Sequence, residues 1–320
     1  MSADRVPRVD EHPKQMTLAL LFPGQGAQEV GMGTGILDVG SPAHRMARTA
    51  SEIAGLDLVH LACEAGAAQI RPTEVAQPLL LLHSVALLEL LPDRVRGRVA
   101  AVAGHSLGEY TALVAAGSLG WQDAIALVRE RGLAMAEAAA GPGQGMSAVL
   151  GADEEAVAGA LAGGDEGVAV VANINAPGQV VISGHLVALE AAGERLKAAG
   201  ARRVVPLAVA GAFHSPLMAD AAARLGHAID VAPLSAGKPQ AFNLDGEIRT
   251  QPVEVAEALR AQLTSPVRWT ACVETLVRED VDRFLEIGMG GTLTAMGKRI
   301  NPGLEWTSAA GPAALAAVSS

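Results

Sequence analysis

Aromatic residues make up only 2% of the 320 positions, although half of the chain is hydrophobic. The core must therefore be built mainly from Ala, Val and Leu. Cysteine is almost absent: Cys63 and Cys272 lie far apart, without metal-ligand spacing. They read as buried small hydrophobes and imply neither a metal centre nor an oxidising compartment. Apolar runs such as LLLLHSVALLELL (79–91) are too short to span a bilayer and carry His83 and Glu89. A basic block is missing too. With a net charge of −10, nothing resembles a nucleic-acid patch. The first sixteen residues are polar and lack the apolar stretch of a secretion signal. They are expected to form a flexible tail on a cytoplasmic protein.

What is present alternates. TLALLF (17–22) and VAAVAG (99–104) read as strands buried on both faces. Helical patterns fall at about 43–54, 77–91, 107–116 and 121–140, the second with Pro78 in its first turn. Such alternation predicts a parallel sheet covered by helices. The texture changes between GPGQG (141–145) and about residue 207. There, short segments run strand, helix, strand, strand, helix, strand, the order of a ferredoxin-like unit. The expected fold is thus α/β, with a large domain (17–141 and 208–320) and a small ferredoxin-like insert (142–207). A further strand-to-helix unit is expected over 282–300.

In GHSLGEY (104–110), Gly104 and Gly108 flank Ser106 at −2 and +2, between a strand and a helix. Gly-x-Ser-x-Gly at such a junction is a nucleophile elbow, a turn too tight for side chains at the glycine positions. It raises the hydroxyl above the sheet edge, near helix N–H groups that favour an oxyanion, Leu107 N–H first. A glycine-rich start of a helix is the plainer alternative. Of the eight histidines, His214 stands at a strand-to-helix turn late in the chain, which suits the base of such a serine. His105 is expected to shape the pocket. Ala124, Leu127, Val128, Arg131 and Met135 form one helical stripe, so Arg131 faces inward and needs an anion. An internal salt bridge to Asp or Glu and a bound substrate carboxylate both satisfy that need.

Taken together, FPGQGAQ (22–28), GHSLGEY, ERGLAM (130–135), NAPGQVVISG (175–184), GAFHS (211–215) and AQLTSPVRW (261–269) resemble the malonyl-CoA:acyl carrier protein transacylase family, from about Leu18 to Ile300. The resemblance implies an α/β-hydrolase-like large domain with a ferredoxin-like insert. It implies a malonyl-serine intermediate on Ser106, with His214 as base and an oxyanion hole from the Gln25 and Leu107 N–H groups. Arg131 would take the malonyl carboxylate, and the Gln262 carbonyl would orient His214 in place of an aspartate. Asn173 and Asn175 would lie at the cleft mouth. Phe213 beside the histidine would crowd a branched acyl unit, and Met135 and His105 would line the same pocket. The expected partners are malonyl-CoA and the phosphopantetheine thiol of an acyl carrier protein, with no bound cofactor or metal and a monomeric enzyme. Lys197, Arg202, Arg203, Lys298 and Arg299 are candidates for docking an acidic carrier. A serine esterase or thioesterase, a relative serving another acyl unit or malonate decarboxylation, and a silent carrier-binding scaffold are the alternatives.

Overall fold

The computed structural model describes residues 17–141, 143–162 and 164–318, and the expected tail over 1–16 lies outside them. The chain opens with β1 (Leu18–Phe22), α1 (Pro42–Ala54), α2 (Leu58–Cys63), α3 (Ala67–Ile70), α4 (Thr73–Glu89) and α5 (Asp93–Arg96). Next come β2 (Val99–Gly104), α6 (Gly108–Ala116) and α7 (Trp121–Ala138). The middle section holds β3 (Gln144–Leu150), α8 (Glu154–Ala162), β4 (Ala169–Ala176), β5 (Gln179–His185), α9 (Leu186–Ala198) and β6 (Arg203–Pro206). A 3-10 turn, Pro216–Met218, leads into α10 (Ala219–Asp230), β7 (Gln240–Ala241), β8 (Ile248–Arg249), α11 (Pro252–Gln262) and α12 (Trp269–Arg278). The chain closes with β9 (Arg283–Ile287), α13 (Thr292–Ile300), β10 (Glu305–Ala309) and α14 (Pro312–Val318).

Two sheets result. The larger has the order β10-β9-β1-β2-β7-β8, parallel except for the β7–β8 pair. Its central strand reads apolar throughout because both faces are covered. Leu18, Leu20 and Phe22 join one core with α4, α6 and α7, while Ala19 and Leu21 join a second with Trp269, Val273 and Phe284. The smaller sheet, β4-β5-β3-β6, is antiparallel and carries its own core against α8 and α9. It is tied to the larger body where Ile174 N–H donates to Val267 O (2.9 Å) and Val267 N–H to Ala172 O (2.8 Å).

One helix differs from the sequence expectation for a physical reason. α4 starts at Thr73, so Pro78 lies inside it and not in its first turn. Proline cannot donate to the carbonyl of residue i−4. That carbonyl, on Glu74, is taken instead by Arg129 Nη1 of α7 at 2.8 Å. The cross-helix bond fixes the first turns of α4, including Gln77, against α7.

The strand ends position the site. Parallel register sets Phe22 beside Gly104 and Ala103 beside Ala241, so the loops after β1, β2 and β7 converge. They do so at backbone contact: a Cβ on Gly104 would overlap the backbone of Gly108, and one on Gly108 the carbonyl of Phe22. Gly108→Ala should therefore lower unfolding free energy by about 1–3 kcal/mol or more through overpacking. Gly159 lies exposed in α8 with nothing near its would-be Cβ. There Gly159→Ala should raise stability by about 0.8 kcal/mol from helix propensity. Urea denaturation of the pair checks the contrast; equal effects would contradict the close approach.

Candidate active site

Ser106 stands between β2 and α6 with φ 53°, a left-handed backbone that a non-glycine residue adopts at a cost of about 1–3 kcal/mol. The turn lifts its side chain into a cleft of about 660 Å³ between the two sheets, which Gln25, His105, Arg131, Met135, Phe213 and His214 help to line. His214 also has a positive φ, 56°. Its Nε2 accepts the Ser106 hydroxyl at 2.8 Å. On the other side of the ring, Nδ1 faces two backbone carbonyls, Gln262 O at 3.1 Å and Ser265 O at 3.2 Å. Two acceptors there fix the proton on Nδ1 and leave Nε2 as the acceptor facing the serine. The Ser265 carbonyl was not foreseen from the sequence.

Arg131 is 1% exposed. Its Nη2 donates to Ser106 Oγ and to Gln262 Oε1, both at 3.0 Å, and its Nη1 to Gln77 Oε1 at 2.8 Å. Its guanidinium carbon lies 5.6 Å from the centre of the Tyr110 ring. Among the described residues it forms no ion pair, so the internal salt bridge that its inward position allowed is not what holds it. Amide oxygens do. Gln77 is 0% exposed, and its amide N–H meets the sulfur of Met135 at 3.2 Å. A glutamine inside the apolar stretch AQPLLLL was the available signal for it.

Beneath the turn lies a second layer that the sequence left unmarked. Asn243 Oδ1 accepts the Ser106 N–H at 2.6 Å, and its Nδ2 donates to Gly104 O at 2.8 Å. Glu109, 1% exposed, accepts the Asn243 N–H on one oxygen and the Gln262 amide on the other. The same Gln262 amide donates to Ser106 O at 3.0 Å.

Around this centre, Gln25 sits in the loop after β1, its side chain donating to Thr73 Oγ1 at 3.1 Å. Leu107 is the residue before α6, whose first N–H groups, on Gly108, Glu109 and Tyr110, donate to the carbonyls of His105, Ser106 and Leu107. His105 Nε2 meets Asn175 Oδ1 at 2.9 Å, and its ring lies tilted 5.6 Å from that of Trp269. Asn173 lines the cleft as well. The nominated docking cations lie elsewhere. Lys197 pairs with Glu194, Arg202 and Arg203 are exposed at the start of β6, and Lys298 is exposed on α13. Arg299 is already engaged, donating to Gln179 Oε1 (2.6 Å) and Pro177 O (2.7 Å).

Burial dominates the titrations. It pushes His214 down from 6.5 to about 3, with the Arg131 charge adding to it, and lowers His105 in the same way. Burial raises Glu109 to about 8, against the pull of its N–H donors. An imidazole beside the serine that stays neutral far below 6.5 would shift the acid limb of serine reactivity. The rate of Ser106 labelling by a fluorophosphonate should stay level as pH falls through 6.5, and a limb centred there would contradict the burial. Stability has the complementary dependence. Below about 6.5 the unfolded histidine gains a proton that the folded one refuses, so acidification favours unfolding.

The chain is similar to known proteins over most of its length. The acyl transferase domain family model matches residues 19–307. Malonyl CoA-acyl carrier protein transacylase of Bacillus subtilis is 40% identical over 304 residues, 92% of this chain and 94% of that protein. The crystal structure of an acyl carrier protein S-malonyltransferase from Vibrio cholerae matches with a TM-score of 0.89 and 39% identity, covering 94% of this chain and 99% of that one. A malonyl-transacylase in complex with its type II PKS acyl-carrier protein matches with a TM-score of 0.89 and 36% identity, over 94% and 98%. A serine at the elbow, a histidine on it and the extent of these matches lead to one conclusion: this chain belongs to the acyl transferase domain family.

Proposed function

We propose that this protein moves a malonyl group from malonyl-CoA to the phosphopantetheine thiol of an acyl carrier protein through a malonyl-serine intermediate. The observation that carries the proposal is the buried Arg131 guanidinium, held by neutral amides 3.0 Å from the Ser106 hydroxyl. A buried cation with no carboxylate in direct contact is costly, and an acyl group ending in a carboxylate supplies that contact where the acyl chain must sit. The names of the relatives point the same way. The small sheet, with strand order β4-β5-β3-β6, is in our reading the ferredoxin-like insert of an α/β-hydrolase-like domain.

Chemistry then follows from the donor and acceptor directions. Ser106 Oγ attacks the thioester carbon while its proton passes to His214 Nε2. The imidazolium formed is steadied by the Gln262 and Ser265 carbonyls on Nδ1–H. The oxyanion rests on the Gln25 and Leu107 N–H groups. Collapse of the tetrahedral adduct breaks the carbon–sulfur bond, and His214 returns the proton to the departing thiolate of coenzyme A. The carrier's thiol repeats the sequence in reverse, giving up its proton to His214 and taking the malonyl group from Ser106. Phe213 and Met135 wall the cleft and help to keep water from the ester. A methyl branch is worth only about 1–3 kcal/mol in such a pocket, so Phe213 biases the choice of acyl unit without making it absolute.

A serine thioesterase would share Ser106 and His214 but has no use for a sealed cation. Intact-mass analysis after incubation with malonyl-CoA should show a malonyl group on Ser106 that is passed to carrier protein more quickly than to water. Arg131→Ala should cut malonyl loading roughly a hundredfold while leaving acetyl loading within about tenfold, the scale of one charge-assisted pair. Equal losses for both acyl groups, or rapid hydrolysis of the adduct, would favour the thioesterase.

A further inference from the structure

We propose that Glu109 is a positioning residue that sets both the nucleophile and the acyl-carboxylate pocket, through Asn243 on one side and Gln262 on the other. The donor and acceptor bookkeeping leaves little freedom. Arg131 can only donate, so the Gln262 amide must turn its oxygen towards Nη2. The amide nitrogen then points at Ser106 O and at Glu109 Oε2. The other carboxyl oxygen, Oε1, meets the Asn243 backbone N–H. Both Glu109 oxygens therefore face donors, and a side-chain amide at this position could accept from only one of them.

The two arms reach different reacting groups. One runs through Asn243, whose side chain bridges the strained turn from Gly104 O to Ser106 N and so holds the left-handed φ of the serine. The other runs through Gln262, which uses its backbone carbonyl on His214 Nδ1 and its side-chain oxygen on Arg131. Glu109, Asn243 and Gln262 are each at most 1% exposed, so water cannot substitute for a lost partner. A third tie anchors the start of α6 itself: Gln240 Nε2 donates to the Glu109 carbonyl at 3.1 Å. The Glu109 side chain makes no hydrogen bond to the serine hydroxyl and does not itself line the cleft, which is why its contribution is one of position.

This inference rests on the transferase reading only for its malonyl arm. Glu109→Gln turns an acceptor into a donor that must face either the Asn243 N–H or the Gln262 amide, and one arm is lost. Glu109→Asp keeps both acceptor oxygens on a shorter stem and leaves the Gln262 amide on Ser106 O and Arg131 in place, so it separates the carboxyl group from the rest of the position. Three readouts are taken on the full chain: thermal melting, the rate of Ser106 labelling by a fluorophosphonate, and the malonyl-to-acetyl loading ratio. Glu109→Gln is expected to label at least about tenfold more slowly and to lose malonyl preference by a similar factor, the scale of one charge-assisted hydrogen bond. Glu109→Asp should label faster and keep more malonyl preference than Glu109→Gln, because both of its oxygens can still accept. A Glu109→Gln variant that labels and discriminates like the parent would overturn the proposal. So would a Glu109→Asp variant that folds but labels no faster than Glu109→Gln, or failure of both to fold. Should the parent label readily but take no malonyl group, the transferase reading fails while the labelling arm still decides the role of Glu109.

Discussion

A positive charge sealed inside the protein, one hydrogen bond from a serine hydroxyl, is the constraint on which the remainder of the site depends. Arg131 cannot lose its proton at ordinary pH, so every neighbour has to present an acceptor. Gln77 and Gln262 do so with amide oxygens, and Ser106 does so with its hydroxyl oxygen while its proton goes to His214. Orienting Gln262 in this way dictates in turn where its amide nitrogen points, and so where a carboxyl must stand. The charge thus orders a network that spans α4, α6, α7, α11 and the loop after β7. After burial itself, it is also what keeps His214 neutral, since a second buried cation beside the first is disfavoured.

The second constraint is steric. Ser106 and His214 both carry positive φ, and each such residue stores about 1–3 kcal/mol that the surroundings must offset. For Ser106 the offset comes from strand ends at backbone contact, from the Asn243 side chain across the turn, and from the Gln262 amide on its carbonyl. Reacting atoms held this way need no rearrangement when charge develops, which is where such sites gain most of their rate.

The parts of this legible in the sequence are those with local signatures. The elbow shows through two glycines four residues apart, and β1 and β2 through unbroken apolar runs before it. Arg131 shows through its place on an apolar helical stripe. What the sequence conceals is the partner of each polar group. Gln77 lies 54 residues from Arg131, Gln262 lies 131 from it, and Asn243 lies 134 from Glu109. No periodicity links such positions; only the folded chain does. Glu109 itself stands inside the elbow motif, where an acidic residue in a first helical turn reads as a dipole partner, not as a buried carboxyl. β7 and β8 are two residues long, too brief for any alternation to register, although β7 carries Asn243 to the turn. α4 began earlier than its pattern suggested, because Arg129 relieves the carbonyl that Pro78 leaves unpaired.

The central claim is that the sealed guanidinium receives the far end of the acyl group. A crystal structure of the malonyl-Ser106 adduct tests it most directly. The account predicts the free carboxylate within hydrogen-bond distance of Arg131, in the space where the serine hydroxyl oxygen now accepts from Nη2. A carboxylate turned out towards solvent, with Arg131 still satisfied by Gln77 and Gln262 alone, would contradict it.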